Sequence, residues 1–363
     1  MAGYYFYLPQ VTELKIPQQA ALNETKQIAL SGGPGTGKSV VSLWRHISNY
    51  KKGIKSLLLT YTTTLAQYLR ACCATQSQNA ANNINTSLRG KPQSGSYWNE
   101  IIVDEAQDLP ISYYNDIKRI SNVSYGADDS QILYPDQCSR QRQLENIFDS
   151  NESYVLAENF RNTQRIMQFA RVVFPDAYIP QATISGLSDN IGELPILLIS
   201  NGSRYDRTNS KQNNSILEII NSFRSDTHNI AILVPWKSDA QLFEDVIKNQ
   251  INDYSIYYED SNRFPNGCGP IKNVHITTFK STKGLEFDTV IIPNFHKYNE
   301  ICGSFNVEWQ DYYVAVTRAR SNLYLISHYD IPQLNSVTDK QFLNTSNIVT
   351  RVKNIDTNDD MPF

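Results

Sequence analysis

The 363-residue sequence has no long apolar run, no Cys-x-x-Cys pair among its five cysteines and no large excess of either charge. A membrane-spanning helix needs about 18–20 consecutive apolar residues, so no membrane association is expected. The opening MAGYYFYLPQ lacks the charged-then-apolar order of an export signal, and the expected location is cytoplasmic. Cys72 and Cys73 are vicinal and poorly placed to share a zinc ion, while Cys138, Cys268 and Cys302 stand apart, a pattern natural to a reducing compartment. His46, His228, His275, His296 and His328 are scattered without a His-x-x-x-His pair, so no zinc-site pattern is present. With 33 Lys+Arg against 36 Asp+Glu, the net charge of -3 supplies no global basic field. Any polyanion would have to be held by a local track of basic and aromatic residues.

What is present is an ordinary globular composition, 40% apolar and 19% charged. At about 150 residues per domain the length predicts two domains. From residue 27 onward, short apolar runs alternate with segments of helical spacing, the pattern of β-α units that build a parallel sheet. The first set of expected strands covers 27–30, 56–61, 101–104 and 154–156. The second covers 195–200, 229–234, 254–258, 273–278, 289–292 and 323–327. Between two of these lies DAQLFEDVIKNQ, in which Leu242, Val246 and Ile247 recur at helical spacing. The fold class expected is α/β, with one domain over 1–157, a second over 158–341 and a polar tail over 342–363. The polar stretches 76–95 and 202–214 are read as surface loops. The tyrosines of YYFY and IYYED alternate as strand residues do, and most are expected in the core or half-buried.

GGPGTGKS at 32–39 fits Gly-x-x-x-x-Gly-Lys-[Ser/Thr] and lies between an expected strand and an expected helix, as a phosphate-binding loop requires. Glycine lets the backbone wrap a phosphate so that several N–H groups and the following helix N-terminus point at it. Gly32, Gly33, Pro34, Gly35, Thr36, Gly37, Lys38, Ser39 and Val40 are therefore the candidate nucleotide-binding residues. Lys38 would reach the β- and γ-phosphates of ATP, and Ser39 would hold Mg²⁺. IIVDEAQD at 101–108 supplies a complementary half: an apolar strand ending in adjacent carboxylates. Asp104 is the second candidate metal ligand and Glu105 the candidate general base.

Together with four later segments, these residues resemble, in order, the motifs of the UvrD/PcrA/Rep type of superfamily 1 helicases, here in a compact form. That resemblance implies two RecA-like P-loop NTPase domains, each a mostly parallel sheet flanked by helices, hydrolysing ATP at their interface. IPQQAAL resembles the adenine-reading glutamine motif and implies Gln18. LLLTYTTTLAQYL resembles a segment that touches single-stranded DNA, implying Tyr61 and Thr62. GADDSQILY resembles Gly-Asp-x-x-Gln-Ser-Ile-Tyr, which implies Asp128, the γ-phosphate-sensing Gln131 and a nucleic-acid contact at Tyr134. ENFRNTQRI implies Phe160 stacking on adenine and Arg161 at the γ-phosphate. ITTFKSTKGLEFDTVIIP implies Gly284 and Glu286 near the ribose, and DYYVAVTRAR implies Arg318 as the arginine finger. The catalytic set so implied is Lys38, Glu105, Gln131, Arg161 and Arg318. Their chemistry is consistent with the residue types, since the charge gathered by a transferring γ-phosphoryl group requires surrounding cations.

The sequence also departs from the family. Tyr134 is followed by Pro135 and Asp136 where a second stacking aromatic is common, so Tyr61 could carry that role. Lys280 replaces a histidine and either binds a backbone phosphate or lies in solvent. Only about 40 residues separate the expected strands at 56–61 and 101–104, and the span from Arg161 to Lys283 is taken up by β-α units. Little room remains for the inserted subdomains that contact duplex DNA. The leading expectation is an ATP-dependent translocase or helicase on single-stranded nucleic acid, taken to be DNA, with a protein partner and a place in DNA repair. The alternative is an ATP-gated regulatory subunit of a partner such as a nuclease, in a repair or phage-defence complex. Finally, the terminal Asp359-Asp360-Met361-Pro362-Phe363 resembles the acidic tip of bacterial single-stranded-DNA-binding proteins. That implies docking on the receptors of such tails through a terminal ring, a free carboxylate and flanking acids.

Overall fold

A computed structural model describes residues 4–5, 7–304, 306–331, 334 and 350–353. The chain separates into two compact units, one of Phe6–Phe160 and one of Met1–Tyr5 with Arg161–Phe363. The first unit thus ends at Phe160, and the two described residues at the start of the chain pack with the second unit. The terminal Asp359–Phe363 tip lies outside the described residues.

The first unit is built on six strands: β1 (Ile28–Ser31), β2 (Ser56–Thr60), β3 (Ile84–Thr86), β4 (Glu100–Val103), β5 (Val123–Ala127) and β6 (Glu152–Val155). Their spatial order is β3-β2-β4-β5-β1-β6, and every pairing is parallel. The second unit has seven: β7 (Ile196–Ile199), β8 (Ile230–Val234), β9 (Ser255–Tyr257), β10 (Val274–Thr278), β11 (Phe287–Ile292), β12 (Ala319–Ser327) and β13 (Thr350–Lys353). Their order is β13-β7-β12-β11-β8-β10-β9, again parallel throughout. This is a two-unit α/β fold, each sheet covered by helices. Central strands read as continuous apolar runs because both faces are buried, as IAILV of β8 and SLLLT of β2 are.

Each face of the first sheet carries its own core. Leu57, Leu59, Ile101, Val103, Tyr114 and Tyr125 pack on one side, and Leu43, Trp44, Ile47, Leu58, Leu65 and Ile102 on the other. Alternation along β2 assigns Leu58 to one face and its neighbours to the opposite one. In the second unit Ile230, Ile232 and Val234 of β8 join Ile276, Ile291, Phe243 and Tyr324 in a single cluster. Among the tyrosines expected inside, Tyr4, Tyr257 and Tyr258 are buried, whereas Tyr5 is exposed.

Four segments differ from their sequence-based expectation. The stretch 76–95 contains the helix Gln78–Ala81 and the edge strand β3, too short and polar to show a period. β5, with sequence VSYGA, carries serine and glycine in the middle of the sheet: the Ser124 hydroxyl accepts from the Ile28 N–H at 3.0 Å and donates to Glu100, and Gly126 lies beside the end of β4 and the helix Lys38–Lys51. A Cβ added at Gly126 would lie 3.5 Å from Asp104 Oδ1 and 3.6 Å from Lys38 Cβ. Within 202–214, the helix Ser210–Phe223 already begins, with the Asn209 side chain capping the Gln212 N–H at 2.8 Å. β13 falls inside the span assigned to the tail, and its backbone extends the sheet beside β7.

Candidate nucleotide site and its relatives

In the first unit the loop after β1 turns back under itself and opens the helix Lys38–Lys51. Gly32, Gly35 and Gly37 all have positive φ, at 147°, 71° and 88°. At Gly32 the glycine is obligatory on a second ground, since a Cβ there would lie 2.2 Å from the Leu156 carbonyl oxygen. Pro34 and Thr36 are buried, and the Thr36 hydroxyl donates to the Gly33 carbonyl at 2.9 Å. Gly33 is half-buried, and Val40 packs against the apolar core beneath the helix.

Lys38 folds over the loop. Its ammonium donates to the carbonyls of Gly32 at 2.7 Å and Gly33 at 2.9 Å and lies 3.7 Å from the Asp128 carboxylate. A phosphate entering the loop would exchange these neutral acceptors for charged ones. Asp128 in turn accepts from the Ser130 N–H at 3.0 Å and from the Gln131 side-chain amide, which brings Gln131 to Lys38 through one carboxylate.

Asp104, at the end of β4, is 1% exposed, and neither carboxylate oxygen meets a partner in hydrogen-bond geometry among the described residues. Burial first, then the adjacent Glu105 carboxylate, push its pKa up to about 7 against the pull of the Ser39 hydroxyl and the Lys38 ammonium. A buried carboxylate without partners is costly, and a hard cation is the natural compensation. The donor set of one carboxylate and one hydroxyl fits Mg²⁺, which takes few protein ligands and keeps several waters. Glu105 itself sits at φ 55°, ψ 45°, a left-handed conformation unusual for a non-glycine residue. Its carboxylate accepts from the Gln107 side-chain N–H at 2.7 Å, and the Gln107 carbonyl oxygen accepts from the Asp128 N–H at 3.1 Å. Gln107 therefore links the two acidic segments. The sequence reading passed over it, although its place two residues after Glu105 is a usable signal.

On the other side of the loop, Gln18 is buried and donates from its amide to the Thr36 carbonyl at 3.0 Å, while its oxygen accepts from the Lys15 N–H at 2.9 Å. The Phe160 N–H donates to the Gly35 carbonyl at 2.9 Å, and its ring stays 43% exposed with the Lys15 ammonium 6.0 Å from the ring centre. An exposed ring tied to the phosphate loop and flanked by a glutamine is a flat surface suited to a heterocycle. Lys15 was not anticipated; it lies three residues before Gln18, one helical turn away.

The candidate nucleic-acid residues divide. The rings of Tyr61 and Tyr134 meet at 5.2 Å, so the two form one half-buried aromatic pair. The Thr62 hydroxyl accepts from the Leu65 N–H at 3.2 Å and caps the helix Thr63–Ala74. Lys280, in the second unit, is half-buried and lowers the pKa of Asp311, which burial nevertheless pushes up to about 6.

In the second unit the Arg161 Nε–H donates to Glu286 at 3.0 Å, and Arg320 lies 3.7 Å from Glu286 and 3.8 Å from Asp288. Burial raises the Glu286 pKa, but Arg161 and Arg320 outweigh it and hold the carboxyl below its usual range. Gly284 has φ 84°. Arg318 is 1% exposed, with its guanidinium donating to the carbonyls of Val314 at 3.0 Å and Leu285 at 3.2 Å. Arg161, Glu286 and Arg318 thus converge on the turn 284–287.

Residues 251–330 match the family of the UvrD-like helicase C-terminal domain. A putative ATP-dependent DNA helicase of Acanthamoeba polyphaga mimivirus is 25% identical over 256 residues, covering 63% of this chain. The chain spans 34%, about a third, of that relative's length. Among solved structures, the C-terminal domain of a possible DNA helicase from Lactobacillus plantarum is 20% identical. That match covers 53% of this chain and 98% of that one, at a TM-score of 0.36. The arterivirus nonstructural protein 10 helicase is 13% identical, covering 86% of this chain and 62% of that one, at a TM-score of 0.43. Among the described residues no helix is long and apolar enough to cross a membrane. In its ordered motifs and its matched C-terminal segment, the chain is similar to the UvrD-like superfamily 1 helicases.

Proposed function

We propose that the protein is an ATP-dependent translocase or helicase on single-stranded DNA. The observation that carries this reading is the buried Asp104, whose carboxylate lacks a hydrogen-bond partner among the described residues and is influenced by Ser39 and Lys38 at the end of a glycine-shaped loop. Ser39 and Asp104 would hold Mg²⁺, which when bound supplies positive charge to the β- and γ-phosphate oxygens. Lys38 leaves the loop carbonyls for those phosphates. Glu105, steadied by Gln107, takes the proton of the attacking water, and Gln131, tied to Asp128, orients that water. Phe160 and Gln18 hold adenine, Gly284 and Glu286 face the ribose, and Arg161 and Arg318 supply the cations of the second unit. The Tyr61–Tyr134 pair offers a stacking surface to bases, with stacking worth about 1–3 kcal/mol per base.

Support also comes from the relative named as an ATP-dependent DNA helicase. The test is steady-state ATP hydrolysis by the full chain with and without single-stranded DNA. DNA should stimulate turnover, and Glu105→Gln should retain ATP binding while losing turnover by about 10²–10⁴-fold. Turnover indifferent to DNA would refute the motor reading and favour the ATP-gated subunit, whereas active Glu105→Gln protein would remove Glu105 from the base role.

A further inference from the structure

The start of the chain grips the turn on which Arg161, Glu286 and Arg318 converge. Tyr4 is 4% exposed; its N–H donates to the Ile271 carbonyl at 2.9 Å, its hydroxyl donates to the Glu286 carbonyl, and its ring meets the Phe287 ring edge-on at 5.7 Å. Tyr5 pairs with the Asn229 side-chain amide, donating to its oxygen at 2.9 Å and accepting from its nitrogen at 3.0 Å. The Asn229 N–H donates to the Asp288 carboxylate at 2.8 Å. Two residues at the beginning of the sequence therefore hold the start of β11 at Glu286, Phe287 and Asp288. The Tyr4 hydroxyl and the backbone of both residues are engaged.

The segment so held also carries the Glu286 carboxylate that binds Arg161 at 3.0 Å. We propose that Tyr4 is a positioning residue for the Arg161–Glu286 pair, through the hydrogen bond from its hydroxyl to the Glu286 carbonyl, with Tyr5 and Asn229 anchoring it as a strap. The inference rests on the reading of Arg161 as a γ-phosphate ligand. The chain passes into the first unit directly after Tyr5, so the strap is a second covalent connection between the units besides the passage at Phe160 and Arg161. No motif signals it, because Tyr4 acts through a backbone carbonyl about 280 residues away.

The experiment is a double-mutant cycle on the full chain, with kcat and KM for ATP, ATP affinity and thermal midpoint measured for Tyr4→Phe, Arg161→Ala and the double variant. Tyr4→Phe keeps the ring and removes one hydrogen bond, so kcat should fall about three- to tenfold with ATP affinity changed less than about twofold. In the Arg161→Ala background the same substitution should change kcat by less than about twofold. Asn229→Ala, which releases Tyr5 and leaves Tyr4 in place, should show the same non-additivity. Wild-type kcat in Tyr4→Phe, or an equal loss in both backgrounds, would overturn the positioning role and leave Tyr4 a packing residue. Wild-type kcat in Arg161→Ala would instead bring down the functional reading of Arg161, and the role of Tyr4 with it.

Discussion

The two units use charge in opposite ways. In the first, the end of β4 leaves one charged group unsatisfied, since the buried Asp104 carboxylate has no hydrogen-bond partner among the described residues, while Lys38 rests on loop carbonyls beside Asp128 and Glu105 is held in a left-handed conformation. In the second, the charged groups satisfy one another, Arg161 and Arg320 on Glu286 and Arg318 on the carbonyls of Val314 and Leu285. A site of the first kind gains free energy when its ligand arrives, because the cost of its unpaired groups is already present in the empty state. A site of the second kind must exchange existing bonds for new ones, so its residues contribute to stability as well as to chemistry.

The strongest challenge to this contrast is Lys38→Ala. Hydrolysis should fall by about 10³-fold or more, since the main cation on the β- and γ-phosphates is lost. Because Lys38 donates to loop carbonyls and lies 3.7 Å from an Asp128 carboxylate that Ser130 and Gln131 also hold, the thermal midpoint should move by no more than a few degrees (about 2–4 °C). A large loss of stability would show that the first site is structural after all. Arg318→Ala tests the other side. It should lower kcat by about 10²–10³-fold, with a smaller effect on ATP affinity, and also destabilise the protein by about 2–4 kcal/mol as two carbonyls lose a buried donor. Denaturant unfolding beside the kinetics would separate the two effects, and unchanged stability would break the comparison.

A smaller effect distinguishes site chemistry from plain burial. His46, in the first unit, is bonded between Ser56 and Ala80, and burial lowers its pKa to about 4. His275, in the second, is bonded to Ser255, and burial likewise lowers its pKa to about 4. Each is neutral in the fold and takes up a proton on unfolding below about pH 6.5, so its stabilising share is present above that pH and is lost as pH falls toward about 4. The advantage of the wild type over His46→Gln should shrink by about 1.4 kcal/mol per pH unit through that window, and that over His275→Gln by the same slope. Urea titrations at pH 7, 6 and 5 would read both, and unequal slopes would mean that something other than burial governs one unit.

Sequence alone determined the elements whose information is local. The glycine-rich loop is eight consecutive residues, and the carboxylates after β4 are adjacent in sequence; their order with the later motifs carried the family resemblance. Apolar runs such as IAILV and SLLLT marked central strands because burial on both faces demands them. Tertiary structure decided what depends on distant partners. β5 is central despite its serine and glycine, of which Ser124 bonds Glu100 and Gly126 lies beside Asp104 and Lys38, and β3 becomes a strand through its pairing with β2. The bond from Asp128 to Gln107 and the hold of Tyr4 on Glu286 join residues far apart in the sequence, which no local motif records. Local propensity and spacing are written along the chain, whereas burial and hydrogen-bond partnership exist only once the sheets have brought separate segments together.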